Sequence, residues 1–246
     1  KNLWYNPDKD GDFNFRKAYS DENTLNSINN IGRKWAAINI LSAKKYNIDD
    51  EFPFEFKPEK KISKQLLMQV LRNHYEGTKY EITDKNPHKN KIATICSNTN
   101  QFAFVAELRN FMPVDIGVVM WVAPRRPCTQ AFIPWYCGIT TVPENYFTYD
   151  FKYASENHFK KNAFKDIENL AFLKFKKFTE DIDKDYFNSI SEEKHSNKIF
   201  ENKLLKKQEK FERKALKIYQ KDKRKAKKML TRYSEKAALK ALKIIN

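Results

Sequence analysis

The sequence predicts an α+β fold, and three observations carry that expectation. Apolar residues recur at three- and four-residue steps through residues 21–46 and 63–73, the spacing of one buried helix face. Three short runs rich in β-branched and aromatic residues follow between residues 101 and 139, as strands require. From Tyr153 onward the pattern is helical, with no further strand signal.

Taken in order, residues 1–20 are rich in turn formers. Asn6-Pro7-Asp8-Lys9-Asp10-Gly11-Asp12 superficially resembles a calcium loop, but Pro7 stands second and Lys17 occupies the place of the closing bidentate Glu, so a solvent-exposed turn is expected. Leu25, Ile28, Ile31, Trp35, Ile38 and Leu41 mark an amphipathic helix between Asp21 and Tyr46. Phe52-Pro53-Phe54-Glu55-Phe56 alternates like a half-buried strand or extended segment, and Pro58 breaks it. Ser63 is placed to cap a helix over Lys64 to Asn73, with Leu66, Leu67, Val70 and Leu71 facing a core.

The strand runs are Gln101 to Leu108, Ile116 to Val122 and Ala131 to Ile139, ordered as a hairpin or meander. The continuous apolar character of the second predicts burial on both faces. Further on, Phe200, Leu204, Phe211, Ala215 and Ile218 form a narrow seam among lysines, and Thr231 to Ile245 a better-buried helix carrying Tyr233, Ala237, Ala238 and Ala241. This change of character divides the chain at about residue 150, into a sheet-bearing region (1–150) and a lysine-rich helical region (151–246) that packs on it.

Composition narrows the function. With 246 residues, 41% of them hydrophobic, the chain can bury a substantial core. It holds no run of 18 uncharged apolar residues, so no membrane-spanning helix is predicted. The net charge of +16 is concentrated late, with 27 Lys and Arg against 14 Asp and Glu in residues 151–246. Such a face can meet a polyanion. Few aromatics interleave the lysines, however, so a solvated helix is the better reading and nucleic acid is not an expected partner. A binding or interaction protein using this basic tail is the alternative to an enzyme. Five glycines and no Gly-rich loop argue against a nucleotide cradle. Cys96, Cys128 and Cys137 form no CxxC pair, and His74, His88, His158 and His195 are scattered without metal-ligand spacing. No structural zinc site, other metal or cofactor is expected.

The candidate chemistry lies in two runs. In Leu71-Arg72-Asn73-His74-Tyr75-Glu76-Gly77-Thr78, Gly77 at a helix exit can turn His74 and Glu76 toward one cavity. The bland alternative is a His favoured by the helix dipole beside a solvated Glu. In Pro127 to Ile139, Trp135 and Tyr136 stand in an apolar strand. Arg109, after a strand, can hold a carboxylate through a bidentate fork. Cys96 and Cys137 read as buried, inert thiols. Cys128, beside Arg125 and Arg126, sits where a thiolate is favoured but lacks an identifiable base.

These runs resemble peptidase family C69, dipeptidases of the N-terminal-nucleophile cysteine hydrolases. The resemblance rests on Arg72 to Thr78 with Tyr80 and Thr83, then on Asn86-Pro87-His88, Ile95-Cys96 and Glu107-Leu108-Arg109. It continues through Asp115 to Ala123 and Phe132 to Ile139, and ends at Leu230 to Ser234 before an Ala-rich helix. Trp4-Tyr5-Asn6-Pro7 and Asp12 to Arg16 extend it to the start of the chain. It implies part of an Ntn-hydrolase-like α/β/β/α sandwich that cleaves short peptides with the amino-terminal cysteine of the mature chain, whose α-amine acts as base. The chain begins at Lys1. It therefore reads as a portion lacking the nucleophile, inactive alone, with the missing N-terminal part of the same protein as its partner. No catalytic residue is then expected in this chain. His74, Glu76, Thr78, Arg109, Trp135 and Tyr136 become candidate substrate-binding residues for a short peptide, and homo-oligomer contacts are implied as well. Residues 152–229 depart from the family in being richer in lysine and less apolar.

Overall fold

A computed structural model describes residues 5–21, 23–147, 150–157, 159–160 and 169–245. Lys1 to Trp4, part of the opening phrase of the resemblance, and His158 lie outside the described residues. The chain separates into two compact units, residues 1–97 and 98–246. The compositional change near residue 150 falls inside the second unit, where it marks the passage from a sheet to the helices packed on it.

The first unit begins with a turn of helix, α1 (Pro7–Asp10), capped by Asn6, whose side chain accepts a hydrogen bond from the Asp8 amide at 3.0 Å. Pro7 at the first helical position costs nothing, because that amide has no intrahelical partner. The segment is a turn, held further by the Tyr5 hydroxyl donating to the Gly11 carbonyl. A short α2 (Phe15–Tyr19) follows. The periodic run after Asp21 folds as α3 (Ile28–Leu41), shorter than its pattern, because Asp21 to Ser27 is taken up by turns closed on Asp21 and Thr24 carbonyls. Ile31, Ala36 and Ile38 are buried along one side.

Phe52 to Phe56 forms no strand. Phe54 is fully exposed, and Pro53 and Pro58 remove the amides that a ladder would need. In α4 (Lys64–Leu71) the Ser63 hydroxyl caps the Leu66 amide at 3.1 Å, as its position predicts. Met68 and Val70 are the buried residues of α4, whereas Leu66, Leu67 and Leu71 are half-buried.

The second unit holds an antiparallel meander, β1 (Phe102–Leu108), β2 (Val118–Pro124) and β3 (Ile133–Tyr136), in the order β1-β2-β3. In register, Val105 faces Trp121, which faces Pro134. A helical turn, α5 (Val114–Gly117), takes the first two residues of the second predicted strand run. The expectation that this run is buried on both faces is corrected. Val119, Trp121 and Ala123 are buried, while Met120 is 40% exposed and pairs across the sheet with Ala106 and Trp135. Alternation of side chains along a strand gives one dry face only when helices cover just one side. On the other side Phe102 and Phe104 are also exposed.

After a short helix, α6 (Phe151–Asn157), the covering layer comprises α7 (Ala171–Lys184), α8 (Tyr186–Tyr219) and α9 (Lys223–Ile244). The Ala-rich face of α9 lets it approach β3 closely. Ala237, Ala238 and Ala241 share a core with Ile133, Phe175 and Phe200, and Tyr146 donates to the Ala238 carbonyl at 2.8 Å. The seam of α8 is more polar than its sequence suggests, since Glu193, Glu201, Gln208 and Glu212 are buried on it together with Phe200 and Ala215.

Glu193 has a measurable consequence. Burial, chiefly, raises its carboxyl from an ordinary 4.5 to about 7, with Asn197 offsetting part of the effect. The folded chain then keeps a proton that the unfolded chain releases. Stability is therefore highest below about pH 4.5 for this group, and falls as pH rises toward 7. Urea midpoints measured across that window are expected to decline in the parent, and to do so less steeply in Glu193→Gln.

Candidate functional site

The first candidate run leaves α4 through Arg72 and folds on itself. Asn73 accepts from the Tyr75 amide at 3.0 Å and donates to Glu76 Oε2 at 2.8 Å, while the His74 amide donates to the same oxygen at 2.7 Å. Tyr75 and Gly77 both take positive φ, 68° and 76°. For a tyrosine that conformation costs about 1–2 kcal/mol, and it is held by the buried hydroxyl, which donates to the Ala93 carbonyl at 2.6 Å. Gly32 of α3 makes this possible, because a Cβ there would stand 2.6 Å from the Tyr75 oxygen. Thr78 locks the turn, donating to the Tyr75 carbonyl at 2.7 Å and accepting from the Tyr80 amide.

The reversal brings His74 and Glu76 together, with Nδ1 to Oε1 at 3.1 Å. Burial alone would raise the Glu76 carboxyl, but the hydrogen bonds from the His74 ring and amide outweigh it and hold the group below its ordinary value. Glu76 is thus a carboxylate, half-exposed, beside a His that is 4% exposed. Asn86, His88 and Cys96, given no site role from sequence, complete the cluster. Asn86 opens a 3₁₀ turn, Pro87–Lys89, and its Oδ1 accepts from both the amide and Nδ1 of His88, each at 2.9 Å. This aims His88 Nε2 at His74 Nε2, 2.9 Å away, with Cys96 Sγ 3.8 Å from the same His88 atom. The signal available in sequence was the Asn-Pro-His turn, whose capping residue fixes where the ring points. Cys96 and His88 have the atoms of a nucleophilic dyad, yet Cys96 is wholly buried and presents no sulfur to a substrate.

Arg109, Trp135 and Tyr136 lie in the second unit. Arg109 carries a bidentate fork, but its carboxylate is Glu212 of α8, with both contacts at 2.8 Å; the remaining donors reach the Gly117 and Ile116 carbonyls. Burial works against the guanidinium charge, and Glu212 more than restores it. Tyr136 donates to Glu212 at 2.9 Å, and burial followed by that carboxylate drives its phenol far above the ordinary range. Gln208 bridges Glu212 and Glu107, and Glu107 also accepts from the Trp121 indole at 2.8 Å. Arg109 and Tyr136 therefore bolt the sheet to α8. Trp135 lines an apolar cleft of about 370 Å³ with Phe102, Val122, Tyr146 and Phe172, a size at the low end for small-molecule sites. A larger cleft in the first unit, about 870 Å³, is lined by Phe13, Arg16, Lys34, Lys44 and Phe52, among others, and by none of the six predicted residues.

The cysteines divide differently from expectation. Cys96 is buried as predicted, and so is Cys128, whereas Cys137 is exposed. The correction has a simple cause: β3 ends at Tyr136, whose ring turns toward α8, so the next side chain points outward.

Among known proteins, three curated relatives are 26–27% identical to this chain. Probable dipeptidase B of Lactococcus lactis subsp. lactis (strain IL1403) aligns over 148 residues, 57% of this chain and 31% of the relative. A probable dipeptidase of Salmonella dublin aligns over 138 residues, 55% and 32%. Dipeptidase A of Lactobacillus helveticus aligns over 148 residues, 58% and 31%. The aligned part thus spans about a third of the length of each relative. The sequence profile described as peptidase family C69 matches residues 1–188, which takes in the His74–Cys96 cluster, the whole sheet and α7. The chain belongs to peptidase family C69.

Proposed function

We propose that this chain is part of a dipeptidase whose cysteine nucleophile is supplied by sequence outside these 246 residues. The observation that carries the reading is the family match over residues 1–188 together with relatives named as dipeptidases. Burial of Cys96 and Cys128 supports an external nucleophile, since neither thiol can meet a peptide carbonyl without local opening. An Ntn-type sandwich is the fold proposed for the complete enzyme. The exposed apolar side of the meander, with Phe102, Phe104 and Met120, supports it as a surface on which a second sheet would lie.

On this reading the His74–Thr78 turn shapes the pocket, and the Glu76 carboxylate is the group suited to a dipeptide's free ammonium. Trp135 lines the apolar cleft of its own unit, which suits an apolar group. Arg109 and Tyr136 act by holding the sheet on α8, with the substrate carboxylate as a weaker assignment for Arg109. The purified 246-residue chain is expected to cleave no dipeptide across a panel with free termini. A longer product of the same reading frame that carries a processed amino-terminal cysteine is expected to cleave them. Turnover by the 246-residue chain that disappears in Cys137→Ser or Cys128→Ala would move the nucleophile inside it. No turnover by the longer product would overturn the dipeptidase reading itself.

A further inference from the structure

The hydrogen bonds around His74 and His88 fix more than their positions. Asn86 Oδ1 accepts the His88 backbone amide, so that atom is the oxygen, and the His88 Nδ1 facing it at 2.9 Å must carry a proton. The Glu76 carboxyl accepts from the His74 amide and from Asn73, and its Oε1 faces His74 Nδ1 at 3.1 Å, so that ring nitrogen is placed as the donor as well. When both rings are neutral, each Nε2 is therefore the electron-pair donor of its ring. These two nitrogens stand 2.9 Å apart, in a place where both histidines are buried. Two imidazole nitrogens that turn their electron pairs toward one buried point are arranged as the ligands of a cation are. A third electron-pair donor is at hand: the sulfur of Cys96 is 3.8 Å from His88 Nε2, and the three donor atoms lie within 4.8 Å of one another.

We propose that His74, His88 and Cys96 bind one Zn²⁺ ion, which ties the turn after α4 to the segment around residues 86–96. Two imidazoles and a thiolate are zinc's preferred ligands and fill three of its four tetrahedral positions, whereas calcium and magnesium demand oxygen. Tetrahedral zinc with ordinary bond lengths sets its donors about 3.3–3.6 Å apart, so closing on the metal needs side-chain shifts of up to about an ångström. Metal-ligating histidines typically donate their other ring nitrogen to a carboxylate or carbonyl, which fixes the tautomer and orients the ring. Glu76 and Asn86 do so here. The backbone is already braced for this arrangement. The Cys96 amide donates to the Asn73 carbonyl at 3.1 Å, the Thr94 hydroxyl to the Cys96 carbonyl at 2.6 Å, and the Tyr75 hydroxyl to Ala93. A metal suits the need as well. Residues 72–97 contain one 3₁₀ turn as their regular structure, and a loop region of that kind gains most from a cross-link.

The competing account is a single shared proton, with one ring as imidazolium between Glu76 and the other histidine; it gives Cys96 no part. The proposal is independent of the peptidase reading, because its test uses metal content and spectra alone. The full 246-residue chain is stripped with a chelator, checked for retained fold by circular dichroism, and titrated with Zn²⁺ against a chromophoric competitor, then with Co²⁺. One equivalent of zinc is expected, with affinity at least about 100-fold weaker in His88→Ala and in Cys96→Ser, and about 10–100-fold weaker in Glu76→Gln. Cobalt is expected to show tetrahedral visible bands and a thiolate charge-transfer band that Cys96→Ser removes. Absorption-edge spectroscopy then counts the ligands and identifies the fourth. If His88→Ala unfolds, the conservative Cys96→Ser and Glu76→Gln variants still decide the matter. The proposal is overturned if the parent chain binds no more zinc than Cys96→Ser, or if cobalt binds without a thiolate band.

Discussion

Replacing Glu212 by alanine is expected to destabilise the sheet-bearing unit by about 3–5 kcal/mol, the usual consequence of breaking a buried ion pair from one side. The side chain of Glu212 is 3% exposed and accepts two hydrogen bonds from Arg109, one from Tyr136 and one from Gln208. Its removal strands a guanidinium and a phenol against α8, with Glu107 left to Gln208 and Trp121. The loss is mainly the desolvation of partners left behind, so Arg109→Met combined with Glu212→Leu should recover most of it. Guanidinium chloride unfolding of the four members of that cycle measures the coupling. A cost below about 1 kcal/mol for Glu212→Ala, the range of an exposed pair, would mean that the network is solvated. Arg109 would then be available to a substrate carboxylate after all.

Asp183→Ala is expected to have an effect of similar size by the same mechanism at a second place. The Arg126 side chain is wholly buried, and Asp183 of α7 meets it at 2.7 Å. Arg126 also donates to the Thr179 carbonyl at 3.3 Å and to Asn98 at 3.5 Å, neither of which carries charge. Arg125 stands next in sequence, and burial followed by Arg126 already lowers its pKa. Removing Asp183 leaves two cations close together, one of them without water. About 3–5 kcal/mol is expected again, with Asp183→Asn costing less because an acceptor oxygen remains. The readout is the unfolding midpoint, and it should shift more at low salt than at high salt through Arg125–Arg126 repulsion. Because α7 also docks through Thr179 to Thr129 and Gln130, hydrogen exchange in α7 should rise more than in α9.

Both networks show where sequence reading stops. The meander, the Ser63 cap and the closing Ala-rich helix were all legible, because each rests on local periodicity or a single capping residue. The family was legible too, because short phrases such as His74-Tyr75-Glu76-Gly77-Thr78 and Phe132 to Ile139 keep their order along the chain. Phe52 to Phe56 misled, since alternation cannot form a strand without a partner and without free amides. Ile116 to Val122 misled for another reason: an unbroken apolar run does not say how many faces are covered.

Fold class and family were readable from the order of residues alone, whereas the pairing of His74 with Glu76 was one of two readings that the turn after α4 left open. What the charged and polar residues do became visible only once distant segments were packed together. That packing gave Arg109 a carboxylate 103 positions away in α8, turned Cys137 outward, and set His88 and Cys96 against His74. The physical reason is range. Periodicity, capping and turn chemistry act over a few residues and are written in neighbouring letters. The partner of a buried charge or of an imidazole nitrogen is chosen by which distant segments pack together, and no local pattern encodes that choice.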